Sequence, residues 1–120
     1  MRRCVVERDG KRDLGFVGEV LAEASSRRWS EPSELRWTEI TICRTEDGRY
    51  VVAVVGRTCW QGEKDRFSAE VCDTAEAVLA ALERLDEAGE TYLYHVAKCA
   101  LEAAAEADPA FAAVLLQRVE

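Results

Sequence analysis

Residues 36–58 read RWTEITICRTEDGRYVVAVVGRT, and the two halves of this stretch carry different patterns around one turn. In the first half Trp37, Glu39, Thr41 and Cys43 alternate with Ile40 and Ile42, the period of a strand with two unlike faces. Glu46-Asp47-Gly48 interrupts the pattern, and a glycine there supplies the positive φ that a tight hairpin needs. The second half, from Tyr50 to Val55, is apolar on both faces, which predicts a central strand covered on each side. It ends abruptly at Gly56-Arg57, with Trp60 just beyond.

The rest of the chain builds outward from this hairpin. Residues 16–25 (FVGEVLAEAS) read as a preceding strand, with a short strand at CVVER before it that turns at Asp9-Gly10. Residues 25–34 (SSRRWSEPSE) and 60–65 (WQGEKD) read as loops, and RFSAEVC at 66–72 alternates as a fourth strand. Helical periodicity follows. Asp73 or Thr74 caps a helix that carries Val78, Leu79, Leu82 and Leu85 inward and stops at Gly89. A second helix over 91–107 has the stripe Leu93, Val96, Ala97, Ala100, Leu101 and Ala104. Asp108-Pro109 starts a third, holding Phe111, Val114 and Leu115. Strands first and helices after predict an α+β fold: a four-stranded antiparallel meander followed by two to three C-terminal helices packed on one face. Residues 1–120 read as a single α+β domain, with 1–15 an irregular or short-strand extension.

Composition narrows the function classes. The chain is 120 residues, 48% hydrophobic, with two prolines, which suits one packed core and leaves no room for a separate cofactor-binding half. Neither a signal peptide nor a membrane-length apolar run is present, so the expected setting is the cytoplasm and no membrane partner is expected. The five cysteines are scattered, none forms a C-x-x-C pair, and His95 is the single histidine, so they read as reduced, packed thiols; neither a metal nor a cofactor is expected. Arg outnumbers Lys 13 to 3, Ala reaches 18 and Asn is absent, a residue choice that follows GC-rich codons. Residues 1–66 carry 13 basic and 12 acidic side chains, a net +1, whereas 67–120 carry 3 and 11, a net −8, so the acidity of the chain lies in its helical part.

The meander places the candidate site. Both long connections, 25–34 and 60–65, leave the sheet at the end opposite Gly48. Arg27, Arg28, Trp29, Arg36, Trp37, Arg57, Trp60 and Arg66, with Lys64 beside them, therefore gather at one end, and all three tryptophans are in that set. Guanidinium groups offer forked donors to carboxylate or phosphate, and indoles offer stacking faces. Arg and Trp are also the usual anchors of protein interfaces. The competing reading makes the tryptophans a lid on the core with arginines across their rings. Glu31, Glu34, Glu63 and Asp65 lie in the same loops and dilute a positive field, which favours a protein partner over nucleic acid.

Two further candidates are weaker. His95 and Cys99 are spaced i, i+4 and share a helix face, the minimum for a thiolate and its base, but the sequence offers neither an orienting group nor an oxyanion donor. The acidic residues Glu76, Glu83, Asp86, Glu87, Glu90, Glu102, Glu106 and Asp108 could imitate a phosphate backbone toward a basic groove, or form an ordinary solvated face. No dinucleotide fingerprint, P-loop, nucleophile elbow or H-E-x-x-H is present.

The run RWTEITICRTEDGRYVVAVVGRT, continued by GEKDRFSAEVCDTAEAVLAAL, resembles small uncharacterised proteins encoded by GC-rich bacteria and their phages and plasmids. The resemblance covers residues 16–118 and rests on Arg-Trp-Thr-Glu, Tyr-x-Val and Val-Gly-Arg. It transfers no catalytic residue and implies an accessory or mobile-element role. The sequence reading is therefore a non-enzymatic macromolecule-binding protein, anti-defence or regulatory, acting through the Trp/Arg end or the acidic helical face. A small enzyme or small-molecule binder using Cys99 and His95, or a Trp-lined pocket, is the alternative.

Overall fold

The computed structural model describes residues 1–29, 31, 33–116 and 119, with the side chains of Arg28 and Trp29 outside that description. Five antiparallel strands, β1 (Arg2–Val6), β2 (Leu14–Ser25), β3 (Arg36–Thr45), β4 (Tyr50–Thr58) and β5 (Arg66–Cys72), form one sheet in sequence order. A 3-10 helix, Ser26–Trp29, follows β2. The helices are α1 (Ala75–Leu82), α2 (His95–Ala107) and α3 (Pro109–Val114); between α1 and α2 lies a two-stranded hairpin of β6 (Arg84–Leu85) and β7 (Thr91–Tyr92).

The strong alternation of 36–45 and the two-sided apolarity of 50–55 behave as read. Ile40 and Ile42 point into the core beneath the helices, and Tyr50, Val51, Val52 and Ala53 are all buried. The sheet has five strands rather than four. The extension at the N-terminus is a full partner, paired from Arg2↔Gly18 to Val6↔Leu14, so β2 begins two residues earlier than its apolar run suggested. The reason lies in the second face. Cys43, Val51, Ala53 and Ala69 are buried on the side away from the helices, and a flat meander would expose them. The first hairpin curls over that side, turning Cys4, Val6, Leu14 and Phe16 inward while Arg3, Val5, Gly15 and Val17 face out.

Three local features make the curl. A register shift between Val20 and Ala22 leaves Leu21 as a bulge, which bends β2 and adds twist. At Gly18 the two backbones come so close that a Cβ would run into the Arg44 carbonyl oxygen. The turn of the first hairpin then docks on the free edge of β5. The Asp9 amide donates to the Phe67 carbonyl at 2.9 Å, and the Phe67 amide donates to the Asp9 carboxylate at 2.9 Å.

The helical layer departs from the sequence reading in one place. Thr74 caps α1 by accepting from the Ala77 amide at 3.1 Å, but the helix ends at Leu82 instead of Gly89. The Asp86 carboxylate takes the Ala88 and Glu90 amides, each at 2.9 Å, and this local turn competes successfully with further helix. Gly89 serves that turn with φ 80°, and Leu85 ends up exposed on β6 rather than inward. For the same reason α2 begins at His95, not 91, and Leu93 precedes it. Its stripe of Val96, Ala97, Ala100, Leu101 and Ala104 is buried as expected. Asp108 caps α3 through the Ala110 amide at 3.0 Å, and Phe111 is fully buried edge-on to Tyr50. Among the described residues no helix is long and apolar enough to cross a membrane.

Candidate functional site

Strand pairing brings the predicted residues together. Arg36 lies opposite Thr58, Trp37 opposite Arg57, and Gly56 opposite Arg66, so β3, β4 and β5 share one terminal rim. Ser25 opposes Glu39 one step further in, which puts the 3-10 helix and Arg27 at the same end. The side chains of Arg28 and Trp29, named with these, lie outside the described residues.

The set is shared between two faces, because neighbours along a strand point to opposite sides. On the face away from the helices stand Trp37 and Arg57. The Arg27 guanidinium lies 3.9 Å from the centre of the Trp37 ring, and Arg57 lies 5.7 Å from that of Phe67. On the helix side stand Arg36, Thr58 and Arg66, with Arg36 5.6 Å from the ring of Trp60, which is 51% exposed. Gly56 falls between them. A Cβ there would meet the Arg66 Cβ at 3.7 Å, an ordinary contact, so the glycine leaves the groove open rather than relieving a clash.

The loop at 59–65 ties the two faces to each other with carboxylates. Glu63 accepts from Arg36 Nε at 3.0 Å and from Arg36 Nη2 at 2.5 Å, and takes the Thr58 hydroxyl at 2.6 Å. Asp65 accepts from Arg57 Nη1 at 2.9 Å and from the Thr58 amide at 3.0 Å. Arg57 also donates from Nε to Glu39 at 2.9 Å, and the Trp37 indole N–H donates to the other Glu39 oxygen at 2.9 Å. Paired donors of this kind favour the charged carboxylate. The forked bond from Arg36, helped by Thr58, lowers the Glu63 pKa to about 2. Asp65 is also lowered, first by Arg57 and then by the Thr58 amide. At Glu39 partial burial pushes the pKa up, yet the bonds from Trp37 and Arg57 outweigh it and the net shift is downward.

A groove of about 840 Å³ opens across this rim, lined by Trp37, Thr38, Gly56, Arg57, Asp65, Lys64 and Arg66 among others. Asp9 reaches it from the curled first hairpin. Lys64 and Arg66 make no ion pair among the described residues, although Arg66 lies near enough to Glu63 to help keep its carboxylate charged, whereas Arg36 and Arg57 are already satisfied. The rim thus presents an exposed indole, two cations outside ion pairs and a hydrogen-bonded lattice of mixed charge. That suits a partner with its own mixed charge and an aromatic-accepting surface better than a polyanion, which requires uncompensated positive charge.

His95 and Cys99 are close, with Cys99 Sγ 3.8 Å from His95 Nε2. Cys99 borders a second groove of about 510 Å³, together with Ser25, Glu39, Thr41 and Ala103. Of the acidic residues, Asp108 does not belong to a solvated face. It is 7% exposed and accepts from the Tyr50 hydroxyl at 2.7 Å and from Arg44 Nη1 at 3.2 Å. Among the described residues no group of His, Cys, Asp or Glu side chains is placed to hold a metal ion.

Sequence reasoning found the rim but missed what organises it. Glu63 and Asp65 entered only as diluting charges, and Glu39 only as a member of an alternating face. The Trp37-x-Glu39 spacing was the available signal, since i and i+2 share a strand face. No family model, curated protein or solved structure matches the chain, so the site is argued from its own chemistry.

Proposed function

We propose that the protein is a non-enzymatic binding module that acts by contact with another macromolecule, a protein in the first place, through the rim around Trp37, Arg57 and Trp60. The half-exposed Trp60 beside a pre-ordered Arg36–Glu63 pair carries this reading. A large aromatic held open to solvent at the edge of a groove costs little entropy to bind, and Trp with Arg is the usual composition of an interface anchor. An accessory role in the cytoplasm of a GC-rich bacterium, for a phage or mobile element and regulatory or anti-defence in kind, fits the resemblance and the residue choice. Acidic helical residues such as Glu102 and Glu106, both exposed, offer a second contact face that imitates nucleic acid.

Affinity purification from such a host, with Arg57→Glu plus Trp60→Ala as the matched control, tests the proposal. A protein partner held by the wild type and lost in the control is expected; the same partners on both would refute the rim. A nucleic-acid partner would be recognised by a steep fall of affinity with salt. The second reading, a thiol-dependent site, rests on the Cys99–His95 approach beside the smaller groove. A Cys99 that labels slowly at neutral pH, with binding unchanged in Cys99→Ala, removes it.

A further inference from the structure

The hairpin of β6 and β7 exposes Leu85, which its helical spacing in the sequence places inward. Leu85 is 69% exposed and Tyr92 43% exposed, although a two-stranded ribbon is marginal in water without a covered face. Its turn carries Asp86, Glu87 and Glu90, and Glu83 precedes it. Asp86 is occupied by its own turn, whereas Glu83, Glu87 and Glu90 have no ion pair among the described residues.

The chain course puts this hairpin at the rim. Asp108, just past α2, is bonded to Tyr50 and Arg44 at the far end of the sheet. Cys99, in the N-terminal half of α2, borders a groove with residues 23–25 and 39–41, nearer the rim than Asp108 is. The start of α2 therefore lies toward the rim end, and the hairpin joins it there from α1. One end of the molecule thus carries an acidic hairpin with two exposed apolar side chains. It also carries a groove with two available cations, Lys64 and Arg66, beside an exposed indole.

We infer that this end pairs with a second copy of the chain about a two-fold axis, the acidic hairpin of each copy seating against Lys64, Arg66 and Trp60 of the other. A surface bearing both complements satisfies the rule of an isologous contact, in which each patch meets its counterpart twice. Leu85 and Tyr92 supply apolar area to cover Trp60, and Glu87 and Glu90 supply charge for the unpaired cations. The contact involves short elements, so the dimer is at the weak end of specific association, with dissociation on the order of micromolar. The inference rests on the reading of the rim as a contact surface and names its occupant.

Sedimentation velocity over a concentration series tests it. The wild type is expected to pass from one to two chains as concentration rises at low salt, and to return to one chain at high salt as screening shortens. Lys64→Glu with Arg66→Glu should be monomeric, and so should Glu87→Lys with Glu90→Lys. All four positions are exposed, so circular dichroism matching the wild type is expected. An equimolar mixture of the two double variants should recover the dimer, since both contacts of the mixed pair are again complementary. Leu85→Ser should weaken the dimer at least tenfold at unchanged charge. A wild type monomeric at every concentration, a dimer indifferent to both double variants, or a mixture that stays monomeric would each overturn the inference. If the wild type is monomeric yet loses a host partner with Arg57→Glu and Trp60→Ala, self-pairing fails while the rim reading stands. If a dimer forms as described and no host partner depends on the rim, the rim's role is self-association alone.

Discussion

The two ends of the sheet use the same device to opposite effect. At one end Arg57 bridges Glu39 and Asp65; at the other Arg44 bridges Glu19 and Asp108. Around Arg44 the second carboxylate is buried, takes the Tyr50 hydroxyl and caps α3, and the ring of Tyr50 stands edge-on to Phe111. That network fastens the helical layer to the sheet. Around Arg57 neither carboxylate is buried, and the partners are a loop and an indole that line an open groove. The comparison separates an ion bridge that holds the fold from one that shapes a surface, and burial rather than bond length decides which is which.

The sharpest way to break the comparison is at Asp108. Asp108→Ala removes a buried acceptor from Tyr50 and Arg44 and a helix cap together, and should cost about 3 kcal/mol in urea unfolding. Asp108→Asn keeps the cap and should recover about 1 kcal/mol of that loss. Arg57→Ala strands two partly exposed carboxylates and should cost only about 1 kcal/mol in the same measurement. A loss from Arg57→Ala equal to that from Asp108→Ala would erase the distinction. The smallest effect belongs to Glu63→Gln. Because the native Glu63 pKa is lowered to about 2 from a reference of 4.5, its contribution is complete above pH 4.5 and fades as pH falls toward about 2. The melting-temperature gap between wild type and Glu63→Gln should therefore be flat above pH 4.5 and close below it.

Much of this architecture was legible where one pattern dominated. The alternation of 36–45, the two-sided run of 50–55 and the Asp108-Pro109 start each have a single physical reading. The convergence of the two long connections followed from strand parity alone. The errors have equally specific causes. Leu82 and Leu85 keep helical spacing across a break that Asp86 imposes through its own carboxylate, and Gly89 fits a hairpin turn as well as a helix end. The fifth strand was visible as a pattern but not as a necessity, because the two-sided run of 50–55 asks for cover on its second face without saying which segment supplies it. At the site, residue types foretold a cationic rim, while the carboxylates that satisfy it depend on which side chains share a face.

Strand order has a kinetic corollary. Every strand in the main sheet is bonded to its neighbour in sequence, so the hairpins can close one after another over short loops. The exception is the bond between Asp9 and Phe67, 58 residues apart, which seals the curl. A contact of that sequence separation is expected to form late, so loosening it should hasten the escape from the native state and leave the rate of reaching that state almost untouched.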